Sequence, residues 1–421
     1  MPVAPSQFPP QVQPADEYVG PPTDAEDDRI EVGVAIVGGG PAGLACAIRV
    51  MQLLEGEPEL AESLGEVPVA VIEKGKTPGA HLLSGANMRP SAMRELFPDL
   101  DPSEWPVYQQ VEKEGVYFLT KSRALPVPLP AMPNFRNHGN YVTSIAKLGR
   151  FLGEKAEEAG AYLLTETAAS KLLVQDRIVV GVRSGDKGRG REGEELGNFE
   201  PGSDVIAKAT VLAEGTQGHL TGAAIDYFEL QGLLPQRWEL GVKEVWEVTK
   251  PLDRVIHTMG WPLRKGAKYN EFGGSFIYPM GEDKVCVGFV VGLDYTDATF
   301  SCHDALQLLK THPFVKKILD GGKRVAWGAK TIPSGGYWSL PRKLAVPGMV
   351  IAGDGAAMVN VPELKGLHYA IHAGMYAAEA IVEALKRDSV NFEAYDGVVR
   401  ESLIGKDLYR SRNIRQQFSR G

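Results

Sequence analysis

The sequence predicts an α/β protein in which both ends of the chain build one domain and the middle inserts a β-rich one. Three observations predict it. An apolar strand near residue 35 runs into a glycine-rich turn that opens a helix. A second apolar strand, Met349-Val350-Ile351-Ala352, ends far downstream in Gly353-Asp354-Gly355. Between them lie alternating segments such as Val285-Cys286-Val287-Gly288-Phe289, the period-two pattern of a half-buried strand.

Taken in order, residues 31–38 read as a buried strand. Pro41 then suits the first turn of a helix reaching about Leu54, where a missing N–H is not needed. Glu55 to Glu66 is polar and reads as a loop. Val69-Ala70-Val71-Ile72 forms a second strand ending at Glu73. Residues 78–99 read as loop, and the prolines of 115–133 argue against regular pairing there. Residues 144–159 make an amphipathic helix closed by Gly160, with Ile145, Leu148, Leu152 and Ala156 on one face. A hairpin over 171–183, a charged loop from Ser184 to Gly202 and a strand over 205–213 follow. The β-rich part, 235–345, contains one predicted helix at 303–319, and a long helix covers 366–386.

The 421 residues exceed one ordinary core, so at least two domains are expected. A net charge of −8 excludes nonspecific nucleic-acid binding as the main role. The three cysteines, Cys46, Cys286 and Cys302, are too few and too scattered for a disulfide framework or a four-thiolate cluster. No stretch of about 18 apolar residues is present. Residues 1–28, rich in Pro, Asp and Glu, lack the features of a signal or transit peptide and read as a flexible lead-in.

Gly38, Gly40 and Gly43 form G-x-G-x-x-G in the context that dinucleotide binding requires: strand before, helix after, second strand ending in an acid. The first glycine permits the turn, the second lets a pyrophosphate approach the backbone, and the third lets helix and strand pack closely. Pro41 and Ala42 carry the helix start whose free N–H groups face the phosphates. Glu73 is placed to accept hydrogen bonds from a ribose, with the polar stretch 55–66 looping out to absorb the long spacing. Asp354 points to FAD rather than NAD, as the acid for a ribityl or ribose hydroxyl; the competing reading is a turn aspartate capping the next element. A second match, Gly188 to Gly193, lies in a charged stretch and reads as a solvated loop. His368 and His372 share a helix face without a third ligand in view, so they read as buried helix-face histidines and no metal is assigned. No nucleophile–base pair is identified beyond the flavin.

Further runs carry a family resemblance. They include Gly79-Ala80-His81-Leu82-Leu83-Ser84-Gly85-Ala86, Ala213-Glu214-Gly215, Gly260-Trp261-Pro262-Leu263, Gly273-Gly274-Ser275-Phe276 and Val290-Val291-Gly292-Leu293-Asp294-Tyr295. With Val37 to Leu44, they resemble electron-transfer-flavoprotein:quinone oxidoreductases from about residue 31 onward. The resemblance implies a glutathione-reductase-like FAD-binding domain (Rossmann-type) over 29–114, 134–234 and 346–421. It also implies an inserted β-rich quinone-binding domain over 115–133 and 235–345. It adds Lys74, Gly79, Ser84, Gly85, Gly215 and Gly353 to the cofactor contacts, and assigns Gly273 and Gly274 to the quinone.

The implied partners are reduced electron-transfer flavoprotein and a membrane quinone, with peripheral attachment on the cytoplasmic side through apolar loops at 78–99 and 116–132. The family's four-iron–four-sulfur cluster is not encoded in these residues, so a separate iron–sulfur subunit or a missing module is expected. Two rival functions share the scaffold: an NAD(P)H-dependent flavin reductase or monooxygenase of the geranylgeranyl-reductase-like type, and a noncatalytic flavin-bearing subunit.

Overall fold

The computed structural model describes residues 15–415 apart from Ser84, Gln217 and Ala267. Ile30–Val37 lies at the centre of a nine-stranded sheet. It pairs in parallel with Val69–Ile72 on one side and Asp204–Leu212 on the other. Tyr162–Leu164 extends the parallel run beyond Val69–Ile72, and Met349–Ile351 extends it beyond Asp204–Leu212. These strands are continuous apolar runs because helices cover them. Val34, Ala35 and Ile36 are fully buried, as expected for a parallel sheet.

The helices Pro41–Leu54 and Leu367–Leu385 cross so closely that a Cβ on Gly374 would lie 2.2 Å from the Ala42 carbonyl oxygen. Ile145–Glu158 forms the expected amphipathic helix. It is capped by Ser144, whose side chain accepts a hydrogen bond from the Lys147 N–H.

A seven-stranded sheet stands over this domain, ordered Lys323–Pro333, Trp238–Glu247, Lys284–Gly292, Gly273–Pro279, Val255–Gly260, Glu114–Leu119, Ala124–Val127. Its strands alternate as the sequence predicts. Val285, Val287, Phe289 and Val291 pack on the helices Cys302–Lys310 and Pro313–Leu319, while Phe276, Tyr278 and Val290 form the opposite layer.

Several local expectations are corrected. The prolines of 115–133 do not prevent pairing: Pro126 sits opposite Tyr117 in a hairpin. Ala124–Val127 is the edge strand, where a missing N–H breaks no further ladder. The polar stretch 55–66 does not loop out entirely but contains a helix, Pro58–Ser63, started by its proline. Residues 78–99 hold a strand, Ala86–Met88, and a helix, Ser91–Leu96. The charged loop after Ser184 is an exposed hairpin, Lys187–Arg189 with Glu195–Glu200. The single helix at 303–319 is two, because Pro313 cannot continue the first and begins the second. The lead-in is tied down from residue 15 onward. Val19–Gly20 adds a strand to the large sheet, and the Thr23 and Asp24 N–H groups donate to Asp204. Arg183 joins Asp24 to that carboxylate, whose side chain is fully buried. The lead-in thus supplies donors that a buried acid requires.

Candidate functional site

A cavity of about 580 Å³ opens between the two sheets. The glycine-rich turn and the Gly353-Asp354 turn both reach it: Gly38, Gly40, Pro41, Ala42 and Asp354 line the same space. Gly38 has a φ of +110°, and a Cβ there would lie 2.4 Å from the Ala213 carbonyl oxygen. Only glycine suits both the conformation and the close approach. Gly43 is not in the lining. A Cβ on it would lie 2.1 Å from the Gly38 carbonyl oxygen, so its part is the contact of helix with turn. Gly40 has no neighbour within 4 Å of its would-be Cβ and leaves open space above the helix N-terminus. A row of free N–H groups facing such a space fits a pyrophosphate.

Glu73 and Lys74 line the cavity at the end of Val69–Ile72. The Glu73 carboxylate accepts hydrogen bonds from the Gly39 N–H at 2.8 Å and the Gly75 N–H at 2.6 Å. These bonds fix its orientation and leave lone pairs on both oxygens for ribose hydroxyls. Gly79, Gly85 and Gly215 also line the space, and Gly353 packs behind it against Ala42. Ser84 lies outside the described residues. Gly273 and Gly274 are not in the lining, although Phe276 and Tyr278 on the same strand are.

Burial pushes the Asp354 carboxyl up to about 6, against the pull of Lys330. If this carboxylate accepts a flavin hydroxyl, FAD affinity should weaken as pH falls below about 6, where the acid takes up its proton. Asp354→Ala should weaken binding by about tenfold to a hundredfold and flatten that pH dependence. Fluorescence titration of the apoprotein with FAD measures both; an unchanged profile in the variant would remove Asp354 from the cofactor contacts.

Four residues that the sequence reading passed over complete the wall: Glu239, Lys243, Lys330 and Lys365. Lys243 donates to the Gly85 carbonyl at 2.8 Å and lies 5.2 Å from the Phe276 ring centre. Burial lowers its affinity for a proton. Burial likewise brings Lys365 down to about 8, while its ammonium donates to the Glu363 carbonyl oxygen. No local signal marks the strand's cavity face, since Glu239 and Lys243 on that face share the strand with Glu244 on the other.

His368 and His372 are buried in the helix Leu367–Leu385. Burial lowers both, His372 to about 4, so they are neutral at neutral pH. Among the described residues no three His, Cys, Asp or Glu side chains come together as metal ligands, and no helix is long and apolar enough to cross a membrane.

This architecture defines a class: the Rossmann-type flavoprotein fold. The chain superposes with a TM-score of 0.71 on a geranylgeranyl bacteriochlorophyll reductase-like protein from Thermoplasma acidophilum, at 18% identity over 93% of this chain and 88% of that one. A flavin-dependent brominase superposes with a TM-score of 0.64, at 16% identity over 92% and 87%.

The particular family follows from sequence. The family model "ETF-QO, ubiquinone-binding" matches residues 238–332. Electron transfer flavoprotein-ubiquinone oxidoreductase of Caenorhabditis elegans is 40% identical over 92% of this chain and 65% of its own length. The Oryza sativa subsp. japonica protein of the same name is 39% identical over 94% and 67%. The chain belongs to the electron transfer flavoprotein-ubiquinone oxidoreductase family. It spans 61% to 65% of the length of the first three of these relatives.

Proposed function

We propose that this chain binds FAD in the cavity and passes electrons from the flavin to a ubiquinone held against the seven-stranded sheet. The observation that carries this reading is that the glycine-rich turn and the Asp354 turn line one cavity whose opposite wall is the segment matched by the ubiquinone-binding family model. When bound, FAD supplies the redox chemistry; the protein supplies position, shielding and a tuned potential. The helix start at Pro41 would hold the pyrophosphate, Glu73 a ribose and Asp354 a flavin hydroxyl. Gly273 and Gly274, on the strand that carries Phe276 and Tyr278, are the proposed quinone contacts.

The electron donor is reduced electron-transfer flavoprotein. Cys46, Cys286 and Cys302 are buried on three separate elements. An iron–sulfur relay therefore belongs to a module or subunit outside the described residues. The edge hairpin Glu114–Leu119 with Ala124–Val127, where Leu125 is 47% exposed, is the part offered to a bilayer surface. Tyr117 and Phe118 contribute less, since Tyr117 packs on Phe314 and Phe118 lies beneath Lys265.

The test is spectroscopic. The full chain is loaded with FAD and photoreduced without oxygen, then mixed with a short-chain, water-soluble ubiquinone analogue. Return of the oxidised flavin spectrum within seconds is expected. A protein that takes up no FAD, or a flavin that NADPH bleaches directly, overturns the reading.

A further inference from the structure

The carboxylates on the two faces of the strand Trp238–Glu247 are treated differently. Glu244 faces the helices and receives hydrogen bonds from Lys310, Gln307, Arg324 and the Trp246 indole. Glu239 faces the cavity, is 3% exposed, and its Oε1 has no hydrogen-bond partner among the described residues. Its nearest cation is Arg415, whose Nε stands 3.7 Å away, beyond hydrogen-bond range, and whose Nη2 is bonded to Asp294 at 2.7 Å. A structural carboxylate in a sheet interior has its oxygens satisfied, as Glu244 does. Glu239 lines the cavity with one carboxylate oxygen lacking a hydrogen bond.

Its position is specific. Gly241, the next residue on that face, pairs with Val290, and Val290 pairs with Gly274. One row of the sheet thus joins Glu239's neighbour to the proposed quinone glycine, two strands or about 10 Å across. A flat ring laid along this row would stand beside Glu239, which is two residues from Gly241 on the same face of the strand.

We propose that Glu239 is the proton-exchanging group for the quinone at this site, an assignment that rests on the functional reading above. The quinone becomes quinol by gaining two electrons and one proton from the anionic reduced flavin and the second proton from the Glu239 carboxyl. Glu239 is left as the carboxylate and is reprotonated from solvent. Burial supports the assignment by raising this carboxyl to about 7, against the pull of Arg415 and with the push of Asp294. Arg237, two residues before Glu239 in sequence, pairs with Asp294, and Lys330 of the adjoining strand and Lys243 of its own line the same cavity.

The experiment compares the FAD-loaded full chain with Glu239→Gln and Glu239→Asp, using reoxidation of photoreduced flavin by the same ubiquinone analogue across neutral pH. The wild-type rate should fall as pH rises through about 7. Glu239→Gln should be about tenfold to a hundredfold slower below that pH, with this dependence gone, and Glu239→Asp should restore part of both. A second readout needs no turnover: the infrared carboxyl band of the oxidised wild-type protein should titrate near pH 7 and be missing in Glu239→Gln. Equal rates and pH profiles in wild type and Glu239→Gln overturn the assignment while leaving quinone reduction intact. A wild-type flavin that the quinone cannot reoxidise overturns the functional reading itself. If Glu239→Gln does not fold, the aspartate variant and the wild-type infrared titration decide, and a carboxyl band that does not titrate across neutral pH overturns the assignment.

Discussion

Gly43→Val should lower the stability of the chain by about 3 kcal/mol and abolish FAD retention, whereas Gly40→Ala should leave stability within about 0.5 kcal/mol of wild type and still lose the cofactor. The two glycines belong to one motif but meet different neighbours. A side chain on Gly43 must displace the Gly38 carbonyl, 2.1 Å from its Cβ, and Ile36 Cγ2 at 3.0 Å. Neither can move without separating the helix from the central strand, so a buried contact is lost together with the turn geometry. Gly40 has ordinary extended dihedrals, φ −90° and ψ 179°, and open space around its would-be Cβ. An added methyl there harms nothing in the protein and intrudes only where the pyrophosphate is proposed to lie. Urea unfolding and flavin absorbance per chain after gel filtration measure the two effects separately. A Gly40→Ala protein that keeps its FAD would put the pyrophosphate elsewhere.

Glu244→Ala should be the most destabilising single change in the seven-stranded sheet, by about 3–5 kcal/mol. The Glu244 side chain is 1% exposed and its acceptors serve Lys310, Gln307, Arg324 and the Trp246 indole N–H. Burial alone would raise this carboxyl, but the bonds from Lys310, Gln307 and Trp246 outweigh it and hold the group at about 2. Because the folded value is depressed below the ordinary 4.5, the stabilisation is complete above about pH 4.5 and is lost as pH falls toward about 2. It amounts to about 3 kcal/mol. Chemical unfolding followed by tryptophan fluorescence at neutral pH and at about pH 3 tests both statements. A Glu244→Ala loss below about 1 kcal/mol would mean that the buried donors find other acceptors.

The cofactor half of the fold was legible because its signals are local. A strand, three glycines, a proline at the helix start and a terminal acid lie within one short stretch, and each has a single physical reason. Asp354 was legible for the same cause, since an apolar strand runs straight into it. The opposite wall was not. Glu239, Lys243, Lys330 and Lys365 come from three separate segments and meet only when the sheet is assembled. Nothing in the sequence distinguishes the cavity face of Trp238–Glu247 from the face bearing Glu244, because both carry charge. The edge hairpin was misread because proline was weighed as a breaker without asking whether its strand had a second neighbour. Pro126 has none and needs no donor on that side. The lead-in was misread because composition reports what a segment can bury, not that Asp204 requires its amides.

The tight crossing of Pro41–Leu54 with Leu367–Leu385, at Ala42 and Gly374, bears on the order of events during synthesis. The first helix leaves the ribosome long before its partner has been translated. Until Leu367–Leu385 arrives, the glycine-rich turn has no backing and the cavity lined by Asp354 is not closed. The nascent chain can therefore form its local hairpins early, but the cavity proposed to hold the nucleotide is complete only at the end. Uptake of the yellow cofactor would then mark the last stage of folding, and a ribosome stalled before residue 367 should display a colourless chain.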